Sequence, residues 1–163
     1  MAQFFYTEKG YQELNDEIAR IDLKMKTEIA QEIAKAADHG DLKENAEYAA
    51  AKEKQAHYAR KLRALQERYS GANVVRKHEL MPEELVTFGK SIKIRDVDSG
   101  RERECTILGD GETDLDKGII AYNSPLAKAL IGNKQGETVE AQLPRGLVTF
   151  KILSVVFAEG FKD

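Results

Sequence analysis

The sequence predicts an α+β protein: a long N-terminal antiparallel α-helical coiled-coil hairpin, then a mostly antiparallel β domain with one short helix. Three observations carry this. Residues 8–70 hold no proline, and apolar residues recur there at steps of three and four. That stripe is broken once, at Asp38-His39-Gly40-Asp41. From Asn73 onward the period changes to two. The expected division is a hairpin over 1–72, with its tip near 38–47, and a second domain over 73–163.

In the ascending helix the stripe runs through Tyr11, Leu14, Ile18, Ile21 and Met25, then Ile29, Ile33 and Ala37 at steps of four. The start is heptad-like and the later part drifts from that period. Thr7 suits an N-cap. Gly40 suits the left-handed position that ends a helix. Asp41 can then cap the next helix, with Glu44 three residues on as its capping-box partner. The descending helix is expected over about Leu42–Tyr69, with a face of Ala46, Ala49, Ala50, Ala56, Ala59, Leu62, Leu65 and Tyr69. Alanines near the turn allow close backbone approach and a slim tip. A helix of ~30 residues is ~45 Å long, more than a core of this size requires, so the pair reads as an arm.

Beyond Ser70-Gly71, a plausible hinge, NVVRK and LVTFGKSIKI read as strands. Asp98-Ser99-Gly100 turns into RERECTILG, the acidic loop GDGETDLDKG leads to the strand IIAYN, and SPLAKALIG is the short helix. Ser124 caps that helix, Pro125 occupies its first position and Gly132 stops it. TVEAQL, the turn Pro144-Arg145-Gly146 and LVTFKILSVVFA complete the domain.

Composition excludes several classes. A third of the chain is charged and only 7% aromatic, with a net charge of −3, so no global basic signal for nucleic acid exists. A single cysteine, Cys105, precludes an internal disulfide framework and fits a reducing compartment. No signal peptide or membrane-length apolar run is legible, which predicts a cytoplasmic location. His39, His57, His78 and Cys105 lack ligand spacing for zinc. GDGETD lacks the lysine of a phosphate loop, and Asp110, Glu112, Asp114 and Asp116 lack the later glutamate of a calcium loop, so they read as a solvated loop. No nucleophile–histidine arrangement stands out.

Charge is localised instead. Residues 38–47 carry Asp38, Asp41, Glu44 and Glu47 against Lys43, a balance of −3, whereas residues 52–68 balance at +4. Solvated helix faces and the helix macrodipole account for such a pattern without any function. For Asp41 and Glu44 the structural alternative is the capping box; the functional one is a pair of hard oxygen ligands at the end of a rod. Two carboxylates hold Mg²⁺ weakly, because the ion demands octahedral coordination and sheds water reluctantly. Such a tip would complete a site whose other ligands belong to a partner.

The turn sequence HGDLKENAEY, His39 to Tyr48, resembles the signature of the Gre transcript cleavage factors. TEKGYQEL, AAAKEKQ, FGKSIKI and NSPLAKALIGNKQGE resemble further family segments, in order and over nearly the whole chain. The resemblance implies a C-terminal FKBP-like domain docked at the rim of the secondary channel of bacterial RNA polymerase, and a coiled coil passing down that channel. It implies that Asp41 and Glu44 help hold a Mg²⁺ shared with the polymerase, the protein having no cofactor of its own. The polymerase's own hydrolysis of the extruded RNA 3′ end is thereby stimulated in trans, without the chain being an enzyme. Lys52 matches a position that grips RNA phosphates. Tyr48 either stacks on RNA or packs at the tip. Asn123, Ser124 and Pro125 match a polymerase-docking loop, although a helix N-terminus explains them as well. Ala37 departs from the family's frequent arginine, favouring the branch that handles short extruded ends.

Three rivals remain at this level. The same arm could block the channel and inhibit transcription. The FKBP-like fold could carry prolyl isomerase activity, though five phenylalanines and tyrosines in that half make a thin pocket and fold does not grant activity. The hairpin could be a plain adaptor. A monomer is expected.

Overall fold

The computed structural model describes residues 4–38, 40 and 45–161. The chain divides into two compact units: Gln12–Gly71, and a second in which Met1–Tyr11 joins Ala72–Asp163. The first residues, placed with the hairpin by the sequence pattern, thus group with the second half. The cause is strand pairing. β1 (Phe4–Tyr6) runs parallel to β2 (Ala72–Val74), with Phe4 opposite Ala72 and Tyr6 opposite Val74.

The helical unit is a hairpin. Its ascending limb is α1 (Glu8–Lys24), a π-helical turn (Met25–Ile29) and α2 (Ala30–Ala37); its descending limb is α3 (Ala46–Ser70). Thr7 caps α1 as expected, its Oγ1 accepting from the Gly10 N–H at 2.9 Å. The π turn explains the steps of four. Met25, Ile29 and Ile33 would drift off the seam of a helix with 3.6 residues per turn. One wider turn absorbs the excess and leaves Ile29 fully buried. Thr27 Oγ1 donates to the Leu23 carbonyl across that turn at 2.8 Å. The limbs run antiparallel, since Lys61 reaches Glu17 at 3.7 Å while Lys54 reaches Glu32 at 2.9 Å. These exposed ion pairs report register more than stability.

Two expectations for the descending limb are corrected. It begins at Ala46, and its N-cap is Asn45, whose Oδ1 accepts from the Tyr48 N–H at 3.0 Å. The cap role expected of Asp41 is therefore filled by another residue. The inward row differs near the turn, where Ala46, Ala49 and Ala50 are exposed; Ala56 and Ala59 are half-buried as expected, and the row Tyr48, Ala51, Gln55, Tyr58, Leu62, Leu65 and Tyr69 is buried or half-buried. Their steps alternate three and four, the spacing of a coiled-coil seam. Alanines on several faces of this helix disguise that phase.

In the second unit a five-stranded sheet has the order β5-β4-β3-β7-β6, from β3 (Lys90–Asp96), β4 (Glu102–Leu108), β5 (Ile119–Ala121), β6 (Thr138–Leu143) and β7 (Gly146–Phe157). All neighbours are antiparallel except β4 and β5. The helix α4 (Pro125–Leu130) covers one face, over a core of Ile92, Ile94, Ile107, Val139, Phe150 and Ile152. Its cap is Ser124 and its first residue Pro125, as the sequence predicts. LVTFGKSIKI is strand only from Lys90 onward, because Gly89 at φ +86° turns the backbone out of extended geometry. NVVRK contributes β2 alone, outside the main sheet.

Lys90 is the largest fully buried side chain. Its Nζ donates to the carbonyls of Pro82, Glu83 and Leu85 at 2.9, 2.9 and 2.8 Å. An ammonium has three N–H donors and all three are used. Burial pulls its pKa below the ordinary lysine value, with Glu83 and Glu84 opposing. The three carbonyl acceptors likewise favour the charged form.

The acidic loop, expected to be merely solvated, clasps the chain's start. Glu112 accepts from Thr7 Oγ1 at 2.6 Å and from the Thr7 N–H at 3.1 Å. Glycines permit the approach: a Cβ on Gly109 would lie 2.1 Å from the Phe5 carbonyl oxygen, and one on Gly10 would lie 2.2 Å from Glu112 Oε1. A carboxylate at a helix N-terminus is also favoured by the macrodipole.

Candidate functional site

Two clusters of candidate residues result, one in each unit. In the hairpin, Asn45 organises the base of the tip. Besides capping α3, its Nδ2 donates to the Ala36 carbonyl at 2.6 Å. One side chain thus satisfies an orphan N–H of the descending helix and a carbonyl near the end of the ascending one. The segment between Ala37 and Asn45 is tied at both ends by this bond. Asp41 and Glu44 belong to that segment and lie outside the described residues, as does His39. Gly40 has φ +109°, a conformation that favours glycine, in agreement with the expected end of the first limb.

Tyr48 is half-buried in the inward row, and its N–H is the one Asn45 accepts. Lys52 is exposed on the outer face of α3. A groove of about 390 Å³ runs between the limbs beside them, lined by Glu32, Lys35, Ala36, Glu47, Ala51 and Lys54. The Lys54–Glu32 bond crosses it and raises the pKa of Lys54. Sequence reasoning missed Asn45 because Asp41 offered an equally good cap four residues earlier; the available signal was Asn45 itself, a favoured N-cap residue.

In the second unit, Asn123 and Pro125 are exposed and Ser124 is half-buried. Ser124 Oγ donates to the Ala121 carbonyl at 2.6 Å and accepts from the Ala127 N–H at 3.4 Å. The loop is therefore held by its own helix cap and presents Asn123 and Pro125 outward. Beside it opens a cleft of about 430 Å³.

The chemistry available elsewhere is limited. Among the described residues no three His, Cys, Asp or Glu side chains cluster as a metal site. The carboxylates of the acidic loop serve local structure, with Glu112 on Thr7 and Asp114 accepting from the Asp116 N–H at 3.2 Å. Cys105 is buried, and desolvation pushes its thiol up to about 11. The aromatics that a prolyl pocket would need pack on one another: Phe5 lies 5.1 Å from Tyr122 and 6.1 Å from Phe88, which lies 6.4 Å from Phe161. Phe5, from β1, closes that cluster. No helix among the described residues is long and apolar enough to cross a membrane.

Comparison with known proteins fits this architecture half by half. Residues 4–74 match the family described as "Transcription elongation factor, N-terminal", and residues 81–157 match "Transcription elongation factor, GreA/GreB, C-term". The transcription elongation factor GreA of Nautilia profundicola is 42% identical over 153 residues, covering 94% of each chain. That of Helicobacter acinonychis is 41% identical over 92% of this chain and 91% of its own, and that of Alkalilimnicola ehrlichii 35% identical over 97% and 100%. By both halves and by these relatives, the chain belongs to the GreA/GreB family of transcription elongation factors.

Proposed function

We propose that the chain binds bacterial RNA polymerase, inserts its hairpin into the secondary channel and stimulates hydrolysis of backtracked RNA by the polymerase's own active centre. The observation that carries this is the family match across both halves, with the HGDLKENAEY signature spanning the hairpin's turn. In this reading residues from 73 onward dock on the polymerase through Asn123, Ser124 and Pro125, and the hairpin is the working arm. The chain acts as a cytoplasmic monomer and is an accessory factor, not an enzyme.

Asp41 and Glu44 supply the chemistry. As hard oxygen donors they suit Mg²⁺, but two carboxylates fall well short of its six ligands, so the donor set fits an ion shared with the polymerase. That ion, when bound, stabilises charge on attacking and leaving oxygens. The Asn45 staple ties the ends of the segment that carries both acids. It lowers the entropy lost when they are placed. The half-buried Tyr48 favours its role in tip packing, and exposed Lys52 is free to meet an RNA phosphate. Adding the chain to a stalled, backtracked elongation complex should shorten the RNA from its 3′ end and restore elongation, in a Mg²⁺-dependent manner. RNA of unchanged length with slowed elongation would instead identify a channel-blocking inhibitor.

A further inference from the structure

The cleft beside Ser124 and Pro125 has a composition that the docking loop alone does not explain. Its floor is apolar, from Ile120, Leu126 and Leu143, and its rim carries two guanidinium groups, Arg103 and Arg145. No acid lines it. Arg103 stands opposite Ile94 in the β3–β4 register and shares a strand face with Cys105 and Ile107, both core residues. The strand therefore places a cation in a row otherwise given to the core, yet Arg103 is exposed at the cleft. Among the described residues it makes no ion pair.

Arg145, in the β6–β7 turn, is only loosely engaged. Its guanidinium lies 3.8 Å from Asp96 Oδ2 and its side chain is 63% exposed. Asp96 takes the N–H groups of Asp98 and Ser99 on Oδ1, at 2.9 and 3.3 Å, and leaves Oδ2 to Arg145. Two accessible arginines around an apolar floor, in a chain of net charge −3, form a local positive site on an acidic protein. A cleft of about 430 Å³ accommodates one or two large apolar side chains. Arginine forks pair with carboxylates in planar, bidentate geometry.

We infer that Arg103 and Arg145 are specificity-determining residues of the polymerase-docking surface. The occupant is a segment of an RNA polymerase subunit that seats an apolar side chain on Ile120, Leu126 and Leu143 and presents carboxylates to the two arginines. This rests on the docking role proposed for residues 123–125. A nucleic-acid occupant is disfavoured, because the floor is aliphatic and offers no ring on which a base could stack.

The test titrates core RNA polymerase against the fluorescently labelled full-length chain at low and high salt. The proposal predicts that R103E/R145E raises the Kd by about tenfold at low salt, that the gap narrows at high salt, and that R103K/R145K, which keeps the charge but lacks the fork, loses less than the charge reversal. Because Arg145 also pairs with Asp96, R103E alone is the variant that should leave the thermal midpoint unchanged while still weakening binding, and R103Q/R145Q should give an intermediate loss. Wild-type affinity for the charge-reversed chain overturns the proposal. So does a loss equal at both salts, or competition for the cleft by a single-stranded oligonucleotide. Absence of polymerase binding by the wild-type chain overturns the docking role itself and the arginine assignment with it.

Discussion

Asn45 and Lys90 show how much single side chains decide here. Asn45 caps α3 and ties Ala36 to it, so Asn45→Ala removes two hydrogen bonds at once. A lost cap costs about 1 kcal/mol and an orphaned carbonyl a similar amount, so the unfolding free energy measured by urea denaturation should fall by about 1–2 kcal/mol. Cleavage stimulation should fall with it, because the acid-bearing segment loses its tie. Lys90→Met leaves three buried carbonyls without donors. It should destabilise the fold by about 3 kcal/mol or more, measured by denaturant unfolding. Cys105 adds a pH dependence. Its thiol is held near 11, above the usual 9, so the folded state binds that proton more tightly. The associated stability is complete below pH 9 and is lost as pH rises toward 11. Cys105→Val should flatten that alkaline decline. The roles of Asn45 and Lys90 were not legible in the sequence. A lysine at a strand start reads as a solvated edge, and only the fold brings the carbonyls of residues 82–85 around it.

At the scale of elements, the π turn and the acidic clasp each follow from a local pattern whose meaning depended on packing. Steps of four from Met25 to Ala37 announced a departure from the regular α period, and a π-helical turn is how the chain keeps Ile29 on the seam. The seam of α3 was harder to read, since alanine fits both inner and outer faces and masks the heptad. The loop 110–116 read as solvated because the partner of Glu112 is not local in sequence: it is Thr7, 105 residues away. This clasp reverses an ordinary expectation. Gly→Ala inside a helix stabilises by about 1 kcal/mol, but at Gly10 the new Cβ would displace the Glu112 carboxylate. Gly10→Ala should therefore lower the thermal midpoint. In a Glu112→Ala background, where nothing remains to displace, the same substitution should raise it. Equal effects in both backgrounds would show that the clasp contributes nothing.

For the whole molecule, the two-part α+β organisation was legible from the change of period, and the caps Thr7 and Ser124 and the helix-opening Pro125 from side-chain chemistry alone. The grouping of the first strand with the second half was not, because three residues of β1 carry no periodic signal and pair with a strand some 70 residues on. The candidate acids were legible as a local charge excess at a turn, a signal that chemistry alone left open between capping and metal binding. Asn45, not Asp41, is the cap of α3, which answers the capping half of that question. The most direct measurement compares the wild-type chain with Asp41→Asn/Glu44→Gln on a stalled, backtracked polymerase complex. The account predicts that the double variant keeps its thermal midpoint and its affinity for polymerase, while RNA cleavage falls by at least a hundredfold, about 2.7 kcal/mol of transition-state stabilisation. Cleavage by the double variant at the wild-type rate would contradict it.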